Sequence, residues 1–582
     1  MENITHQLKR LTVSHPDTTN FTYVGQSPFR PTPPRPNPVA IENHKKTCLK
    51  AFIKYLYTSD VEFILTQRTR SSITEESVLA DFFHGDLPYH HVSKDHFYQE
   101  ALDYTRRKFA PPLPCRPVHI LDVEHHYPHR NSSNAEAPFS TEPFFTKQLD
   151  DPIYRERHHL PENPRRSFGN MKNIIFDWTR RFLHEIKDAA APYEKYLYYI
   201  LLHSKTALID VKDPNKMRTI SGFPRPQNIA YIMLLWAYFA HCKRNVGSTP
   251  LLWGYETITG GWLRLNFELF RNHARSSIVT LDKSRFDKYY SFQIQDDIDD
   301  MVRSFLDFHN GYMPTREYAH TRETWNPQQA QRLDRLWQYL CYSFRQAPIV
   351  LFDGSMYRRK WLGMPSGVYT TQLYDTMHFC ITNATVLFSM GIHEHQILLY
   401  KGEGDDILFQ IAMLIQPNEH HNFLSSYANV DNTYFGSLTR PEKCEVTNSP
   451  KGTHVLGYRN NNGFPHRDHR ELLAQMYHTK MADPSPSKTM ATAIGIAYAL
   501  CGYHKPSYNV CKDIFSFYAR QGFTPDEKTF RETFYQDVIS ELPIDIQEFP
   551  TIAKIQANLM NFSYSPPPTM KTFWPNWFLA EY

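Results

Sequence analysis

The sequence predicts an α+β fold, because strand-length apolar runs with a hairpin signature occur alongside segments of helical spacing. "HQILLY" (395–400) and "ILFQIAML" (407–414) are apolar runs joined by the glycine-containing "KGEGDD", which predicts a β-hairpin. "SSIVTL" (276–281) is rich in β-branched residues and predicts another strand. "IAYIMLLWAYFA" (229–240) is too short to span a bilayer and predicts a buried helix.

Length and composition describe a large folded protein. The 582 residues are compatible with about four domain-sized units or with one multi-part enzyme. Hydrophobic residues make up 41% and aromatic residues 14%, which excludes disorder for the chain as a whole. The net charge of +4 permits a polyanionic partner without indicating one. No GxxxxGK[ST] loop and no internal repeat occurs, so P-loop ATPase or helicase chemistry is not expected.

Cysteine usage and the N-terminus predict a soluble, intracellular protein without a membrane partner. The eight cysteines are scattered without a CxxC pair, as expected in a reducing compartment, and they do not support a zinc ribbon. "MENITHQLKRLTV" at the start lacks the apolar core of a signal peptide.

Two segments in the first quarter of the chain look irregular. The proline-rich "SPFRPTPPRPNP" (27–38) predicts an extended strap or linker, and a docking motif for an SH3-like partner is the alternative. "HILDVEHHYPHRNSSNAEAPF" (119–139) clusters histidines and acids, yet their spacing matches no recurrent zinc pattern. We interpret it as a solvated loop; its candidate ligands for the alternative metal site are His119, Asp122, Glu124, His125, His126 and His129.

A basic segment follows in "SKTALIDVKDPNKMRTISGFPRP" (204–226). Strand-like stretches carry Lys205, Lys212, Lys216 and Arg218, a cationic finger that suits a triphosphate. A solvated basic face is the alternative.

Aspartates at predicted strand ends are the strongest chemical signal. Asp282 ends "SSIVTL" and Asp287 follows shortly after it, while Asp405 and Asp406 lie at the tip of the predicted hairpin. Adjacent carboxylates repel one another, whereas divalent cations between them and Asp282 would turn that repulsion into coordination. Hard oxygen ligands suit Mg²⁺ or Mn²⁺, and the fitting chemistry is two-metal phosphoryl transfer.

Between these acids lies "GMPSGVYTTQLYDTMHF" (363–379). Its glycine-bounded turn precedes a helical pattern that puts Thr371 and Asp375 on one face. This loop and helix could contact a nucleotide.

The order of these segments, a basic finger, DxxxxD, PSGxxxT and GDD, resembles the viral RNA-dependent RNA polymerases. The resemblance is to the polymerases of partitiviruses and their picobirnavirus relatives, which have segmented double-stranded RNA genomes, and it covers roughly residues 130–470. It implies that Asp282 and Asp405 are the main metal ligands, Asp406 an auxiliary one, and Asp287 the sensor of the ribose 2′-hydroxyl.

The same resemblance implies roles for other residues. Ser366, Gly367 and Thr371 would lie near the template and the incoming ribose. "KMRTISGFP" resembles the fingertip element, so that Arg218, with Lys216 and Lys212, would grip the incoming triphosphate.

Two further segments resemble family motifs. "NSSNAEAPF" (131–139) resembles the template-entrance motif, with Ser132, Ser133 and Pro138 as template-binding residues. "RPEKCEVTNSPKGTHVLGYRNNNGFPHRD" (440–468) resembles the two later palm motifs, with Lys443 as the general acid for pyrophosphate and nearby Lys451 as an alternative.

Asp375 departs from many positive-strand RNA virus polymerases, which have asparagine there. Here two carboxylates, Asp287 and Asp375, would approach each other. Either one is protonated, or a lysine, a water or a ribose hydroxyl lies between them.

The fold that the resemblance implies is a closed right hand with a palm of antiparallel sheet plus helices, fingers, and a helical thumb. The expected parts are an N-terminal strap (1–59), fingers (60–275 and 301–355, with fingertips near 204–226), palm (276–300 and 356–460), and thumb with C-terminal tail (461–582). We expect the aromatic tail, "NFSYSPPPTMKTFWPNWFLAEY" (561–582), either to pack into the thumb or to fill part of the product channel.

The sequence thus predicts an RNA-directed RNA polymerase that uses two Mg²⁺ or Mn²⁺ ions. The implied partners are RNA template and product, ribonucleoside triphosphates and a viral capsid protein, in the virion interior or host cytoplasm. A reverse transcriptase and a non-catalytic RNA-binding virion protein are the alternatives.

Overall fold

The computed structural model describes residues 19–31, 35–272, 274–315, 318, 320–533 and 545–561, and it has the predicted α+β architecture. The C-terminal tail therefore lies outside the described residues, apart from Asn561. The strands are β1 (Phe21–Gln26), β2 (Arg68–Arg70), β3 (Ile200–Thr206), β4 (Leu208–Asp210), β5 (Met217–Gly222), β6 (Ser277–Leu281), β7 (Ile349–Val350), β8 (Ser355–Arg359), β9 (Ile397–Glu403), β10 (Asp406–Ile411), β11 (Glu445–Thr447), β12 (His454–Val455), β13 (Tyr458–Asn461) and β14 (Phe464–His466).

The α-helices contain a larger share of the described chain than the strands do. They are Pro38–Tyr55, Thr58–Glu62, Glu75–Phe83, His96–Phe109, Ile120–His126, Pro143–Asp150, Pro152–Arg157, Phe168–Lys187, Arg225–Arg244, Gly261–Arg271, Phe286–Tyr289, Phe292–Ser304, Pro327–Gln346, Thr371–Ser389, His420–Phe435, His469–Tyr477, Pro486–Ala499, Lys505–Ala519, Glu527–Thr533 and Ile552–Met560. Within the described ranges, no helix combines the length and the apolar character needed to cross a membrane.

A four-stranded antiparallel sheet in the order β11-β6-β10-β9 contains the predicted hairpin and the predicted "SSIVTL" strand. The hairpin is confirmed, but its turn is shorter than predicted. Asp406 is the first residue of β10 and pairs with Glu403, so only Gly404 and Asp405 form the turn. The prediction that both aspartates lie at the tip was wrong for Asp406, because pairing with β9 continues up to it.

Alternating side chains of this sheet enter two different hydrophobic cores. Val279 and Phe409 belong to a core shared with the Thr371–Ser389 helix, whereas Ile278 and Leu408 belong to a second core shared with the C-terminal helices. Since successive side chains of a strand point to opposite faces, the sheet is covered on both sides. Its strand ends are therefore held rigidly.

A second, five-stranded sheet has the order β1-β8-β7-β3-β5, and only its β3–β7 pair is parallel. The predicted basic segment contains the end of β3 and the whole of β5. These two strands form an antiparallel ribbon, in which Leu201 pairs with Gly222 at one end and Thr206 pairs with Met217 at the other. The predicted strand character of this segment is confirmed.

The N-terminal segment connects distant parts of the chain. Strand β1 pairs with β8, and the Pro38–Tyr55 helix, which Asn37 caps by accepting a hydrogen bond from the Ala40 N–H, buries Cys48 and Phe52 in the core of the C-terminal helices. Lys54 Nζ lies 2.9 Å from Asp513 Oδ1 of the Lys505–Ala519 helix. The described residues of the proline-rich segment before this helix are in neither helix nor strand, as predicted.

Other sequence predictions have mixed outcomes. The buried helix is confirmed within Arg225–Arg244, and the region after residue 461, expected to be helical, contains the helices His469–Tyr477 and Pro486–Ala499. The histidine-rich segment is not simply a solvated loop, because it contains the Ile120–His126 helix with Asp122 fully buried. Burial lowers the pKa of His129 to about 3 and that of His119 to about 4, which describes neutral, structural histidines.

Candidate active site

The end of β6 carries Asp282, and the chain segment before β11 runs alongside it. Glu445 pairs with Thr280, and the Ser284 N–H donates to the Leu438 carbonyl at 2.9 Å. The Arg440 N–H donates to the Asp282 carbonyl at 3.3 Å, and the Asp282 N–H donates to the Cys444 sulfur at 3.3 Å. These main-chain contacts place residues 440–444 directly beside Asp282.

The hairpin turn brings the other two aspartates to the same edge. Because Leu281 pairs with Ile407, the next residues along the two strands, Asp282 and Asp406, face each other across the sheet. Gly404 takes a left-handed φ of +68°, which glycine adopts without strain, and its N–H donates to Thr376 Oγ1 at 2.9 Å.

The three carboxylates interact electrostatically. Burial raises the pKa of Asp406 to about 6, with further contributions from Asp405, Glu403 and Asp282, although the Leu456 N–H that donates to its Oδ2 at 2.7 Å opposes the shift. Asp405 is exposed at the turn, yet the protein packed around it partly desolvates its carboxyl and raises its pKa; Asp287 and Asp282 add to the effect while Arg218 opposes it. A cation at this edge would relieve the repulsion.

The donor set fits hard divalent cations at an open edge rather than in a closed cage. Among the described residues, no three histidine, cysteine or acidic side chains are already arranged to hold a metal ion. Mg²⁺ in phosphoryl-transfer sites is bound by one or two carboxylates together with water and substrate phosphates. The carboxylates of Asp282 and Asp405, at the ends of neighbouring strands, suit that mode of binding. Substrate phosphates and water would supply the remaining ligands of the cation.

Cationic side chains face these acids. The pKa of Lys216 is lowered by partial burial and by the nearby charges of Arg218, Lys443 and Arg440, while Asp282 opposes the shift. Strand β5 and the segment before β11 thus contribute to one group of positive charges next to the aspartates. Such a group matches the charge of a triphosphate.

The structure separates the predicted lysines. Lys212 is exposed in the loop between β4 and β5, where its N–H donates to Asp210 Oδ1 at 2.9 Å, outside this group of interacting charges. Lys443 belongs to the group, whereas Lys451 lies exposed in a later turn near Ser449. The arrangement favours Lys443 over Lys451 as a group near the substrate.

The predicted glycine-bounded loop packs directly on β5. A Cβ atom at Gly367 would lie 1.9 Å from the Ser221 carbonyl oxygen, so only glycine permits this approach. The Ser221 N–H donates to Ser366 Oγ at 3.2 Å. Thr371, the first residue of the Thr371–Ser389 helix, donates its hydroxyl to the Val368 carbonyl at 2.7 Å, which closes the loop.

Asp375 and Asp287 lie near one another, and they have different environments. Asp375 is 9% exposed, and its buried Oδ1 has no hydrogen-bond partner among the described residues. Burial, with Asp405 and Asp287 nearby, raises the pKa of Asp375 well above its ordinary value. Asp287 has a side chain that is 43% exposed, and its Oδ2 lies 3.4 Å from Lys288 Nζ. Of the hypotheses for this pair, the structure favours a protonated Asp375.

The predicted template-binding segment contacts Arg225, the first residue of the Arg225–Arg244 helix. Arg225 Nη2 donates to Ser133 Oγ at 3.4 Å, and Ser132 lies half-buried beside it. Pro138 is buried and follows a cis peptide bond, so it shapes the segment rather than offering a surface. His203 Nε2 of β3 lies 3.1 Å from Glu136, which fixes this segment to the five-stranded sheet.

Comparison with known proteins assigns the family. A family model described as viral RNA-dependent RNA polymerase matches residues 201–506. The chain is also 40% identical to the RNA-directed RNA polymerase of White clover cryptic virus 1 (isolate Boccardo/2004), over 594 aligned residues that cover 96% of each protein. This chain belongs to the viral RNA-dependent RNA polymerases.

A more distant relative supports the assignment. The RNA-directed RNA polymerase of Atkinsonella hypoxylon virus (isolate 2H) is 24% identical over 565 aligned residues, covering 85% of this polymerase and 78% of the relative. The region that the family model matches contains every candidate metal- and nucleotide-binding residue from Lys212 to Lys443.

Sequence reasoning missed several residues around the polymerase's candidate site. Arg440 is one of them, and its closeness in the sequence to Lys443 is a usable signal of a second cation. Thr376 and Cys444 contact the backbone of Gly404 and Asp282, and Lys288 contacts Asp287. No signal in the sequence identifies Thr376 and Cys444, because their contacts depend on how the sheet and the helices pack.

Proposed function

We propose that this polymerase synthesises RNA on an RNA template by two-metal nucleotidyl transfer at the edge of the four-stranded sheet. The observation that carries the proposal is the meeting of Asp282, Asp405 and Asp406 on adjacent strand ends, opposite the cationic group of Lys216, Arg218, Arg440 and Lys443. Acids and cations placed this way match the two ends of one substrate, the reacting α-phosphate and the leaving pyrophosphate.

In this mechanism Asp282 and Asp405 hold two Mg²⁺ or Mn²⁺ ions, with Asp406 as an auxiliary ligand. When bound, such ions activate the primer or product 3′-hydroxyl and stabilise the leaving oxygens. Lys216, Arg218 and Arg440 bind the triphosphate, with Lys212 at the outer rim. Lys443 donates a proton to the departing pyrophosphate.

Other side chains select and orient the nucleotide. Asp287 accepts a hydrogen bond from the ribose 2′-hydroxyl. The protonated Asp375 donates a hydrogen bond, as an asparagine amide would. Ser366, Gly367 and Thr371 keep the loop beside β5, where template base and incoming ribose meet. Ser132 and Ser133 contact the template at its entrance, while Pro138 holds that segment in shape.

We also propose the right-hand organisation. The palm comprises residues 276–300 and the four-stranded sheet segments up to 460, and the fingers comprise 60–275 and 301–359. We place the second boundary after Arg359 instead of at 356, since β8 pairs within the five-stranded sheet. The described residues from 461 onward form the thumb, and the described residues up to 59 form a strap, which the contacts of the Pro38–Tyr55 helix with the C-terminal helices support.

The biological setting follows from the family and from the relatives, both of which are viral polymerases. We propose that the enzyme replicates and transcribes a segmented double-stranded RNA genome in association with a capsid protein, inside the virion or in the host cytoplasm. Template and product are bound through phosphates and duplex shape, so binding weakens as salt concentration rises.

One assay tests the activity. Purified protein is incubated with a homopolymeric RNA template, Mg²⁺ or Mn²⁺, and labelled ribo- or deoxyribonucleoside triphosphates, beside the Asp405→Ala variant. We expect ribonucleotide incorporation that Asp405→Ala abolishes. Preference for deoxyribonucleotides would support reverse transcription instead, and template binding without incorporation of either substrate would support a non-catalytic RNA-binding protein.

A further inference from the structure

Lys288 lies where the ribose end and the triphosphate end of the candidate nucleotide site meet. Its Nζ donates to Thr219 Oγ1 at 3.0 Å, and it lies 3.4 Å from Asp287 Oδ2 and 3.6 Å from Asp81 Oδ2. The lysine side chain is only 14% exposed, while Asp81 is 22% and Asp287 43% exposed, so the cation is largely shielded from solvent and the Asp287 carboxylate remains accessible. One cation therefore joins two carboxylates and one hydroxyl from three separate parts of the chain.

The partners of Lys288 are themselves fixed. Asp81, in the Glu75–Phe83 helix, accepts hydrogen bonds from the Thr219 N–H at 2.8 Å and from its hydroxyl at 2.6 Å. A Cβ atom at Gly85 would lie 3.3 Å from Lys288 Cδ, so the lysine stem is confined by close packing. Charge-assisted hydrogen bonds in such a half-buried setting are stronger than those at an exposed surface.

Thr219 directly follows Arg218 in β5, and Lys288 directly follows Asp287. The Lys288 contact thus links the strand that carries a proposed triphosphate-binding residue to the carboxylate proposed to sense ribose. Because the contact involves Asp287 Oδ2, the other carboxylate oxygen is left to accept a hydroxyl of the substrate.

We propose that Lys288 is a positioning residue for sugar selection, which holds the Asp287 carboxylate in register with β5 through Thr219 and Asp81. The inference rests on the proposed polymerase function. Without the lysine charge, Asp287 can turn away from the ribose site. The preference for substrates with a 2′-hydroxyl then falls by a larger factor than the rate of nucleotidyl transfer.

The test measures kcat/KM for a ribonucleotide and for the matching deoxyribonucleotide in single-nucleotide extension, and compares their ratio between variants. For Lys288→Met we expect the ratio to fall about tenfold, the loss of a charged hydrogen bond, while Lys288→Arg keeps most of it. Thr219→Val, measured in parallel, should lower the ratio in the same direction. Lys195→Met, at an exposed lysine outside the site, should leave it unchanged.

A double-mutant cycle separates positioning from a general structural effect. In an Asp287→Ala background, Lys288→Met should change the ratio no further, because the lysine acts through Asp287. Two results would overturn the inference and leave the polymerase function intact. One is a ratio of kcat/KM values that does not fall in Lys288→Met or Thr219→Val. The other is a full further fall in that ratio when Lys288→Met is added to Asp287→Ala. A wild-type protein that incorporates neither nucleotide would overturn both.

Discussion

Asp405 and Asp406 are neighbours in the sequence but occupy different backbone environments. Asp405 lies in the two-residue turn with an exposed side chain, although the surrounding protein raises its pKa. Asp406 begins β10, and its Oδ2 accepts a hydrogen bond from the Leu456 N–H at 2.7 Å. An asparagine can still accept that hydrogen bond, whereas it cannot replace a negatively charged metal ligand.

The two aspartates should therefore respond differently to the same substitution. We expect Asp405→Asn to lower the rate of RNA synthesis at least about 10³-fold and Asp406→Asn about 10- to 100-fold, in line with the loss of a direct metal ligand and of an auxiliary one. Single-turnover extension at saturating Mg²⁺ measures both.

Glu403 provides the matched control, since it is acidic and pairs with Asp406 across the hairpin. Gln372 Nε2 donates to Glu403 Oε1 at 2.9 Å, and a glutamine at position 403 can accept the same bond. Glu403→Gln should retain most activity; a loss as large as that of Asp405→Asn would mean that total charge, not position, determines the rate.

Asp375 should behave as a neutral hydrogen-bonding group. Because burial raises its pKa well above the ordinary value, the site favours the neutral form of the carboxyl, and asparagine replaces that form with little electrostatic change. We expect Asp375→Asn to retain ribonucleotide over deoxyribonucleotide discrimination and Asp375→Ala to reduce it about tenfold. Unchanged discrimination in both variants, measured as the ratio of kcat/KM values, would remove Asp375 from sugar selection.

At the scale of elements, the sequence predicted what local periodicity determines. Strand β6, the β9–β10 hairpin and the Thr371–Ser389 helix were all predicted, since each has a clear apolar pattern and turn chemistry. The length of the turn was missed, because "KGEGDD" does not reveal that Glu403 and Asp406 pair across strands. The contacts of Arg440 and Cys444 with Asp282 were missed because the β11–β6 pairing joins residues far apart in the chain.

A buried ion pair connects the segment that follows β6 to the His420–Phe435 helix. Lys283 Nζ lies 2.7 Å from Asp431 Oδ1, with the two side chains 2% and 0% exposed. Lys283 also donates to Thr382 Oγ1 at 3.0 Å, and Thr439 donates its hydroxyl to Asp431 Oδ2 at 2.7 Å. The pair therefore ties the residue next to Asp282 to two helices.

Breaking this pair should destabilise the protein strongly. Asp431→Asn leaves a buried, uncompensated lysine, and we expect it to lower the free energy of unfolding by about 3–5 kcal/mol. Adding Lys283→Met to Asp431→Asn should recover part of that loss. Urea denaturation measures each value, and Lys46→Met, which removes an exposed pair with Glu42, should change it by less than about 1 kcal/mol. The double variant could instead lose as much free energy of unfolding as Asp431→Asn and Lys283→Met lose separately, added together. That result would contradict this account.

At the scale of the whole molecule, the four-stranded sheet separates two cores, and the N-terminal segment spans the distance between sheets and C-terminal helices. Strand β1 extends the five-stranded sheet, while the Pro38–Tyr55 helix completes the second core. The sequence predicted a strap here but not where it packs, because the contacting surfaces lie more than four hundred residues apart, as between His44 and Thr489.

The stability of the second core should therefore depend on a helix near the other end of the chain. Phe52 is 0% exposed and its neighbour Ile53 is 69% exposed, so the two positions form a matched pair on one helix. We expect Phe52→Ala to lower the free energy of unfolding of this core by about 3–5 kcal/mol, through lost burial and a new cavity, and Ile53→Ala to change it by less than about 0.5 kcal/mol. Urea denaturation combined with hydrogen exchange of the Lys505–Ala519 helix measures both. If the amide hydrogens of that helix exchanged equally slowly in the two variants, the second core would not depend on the N-terminal helix, and this account would be wrong.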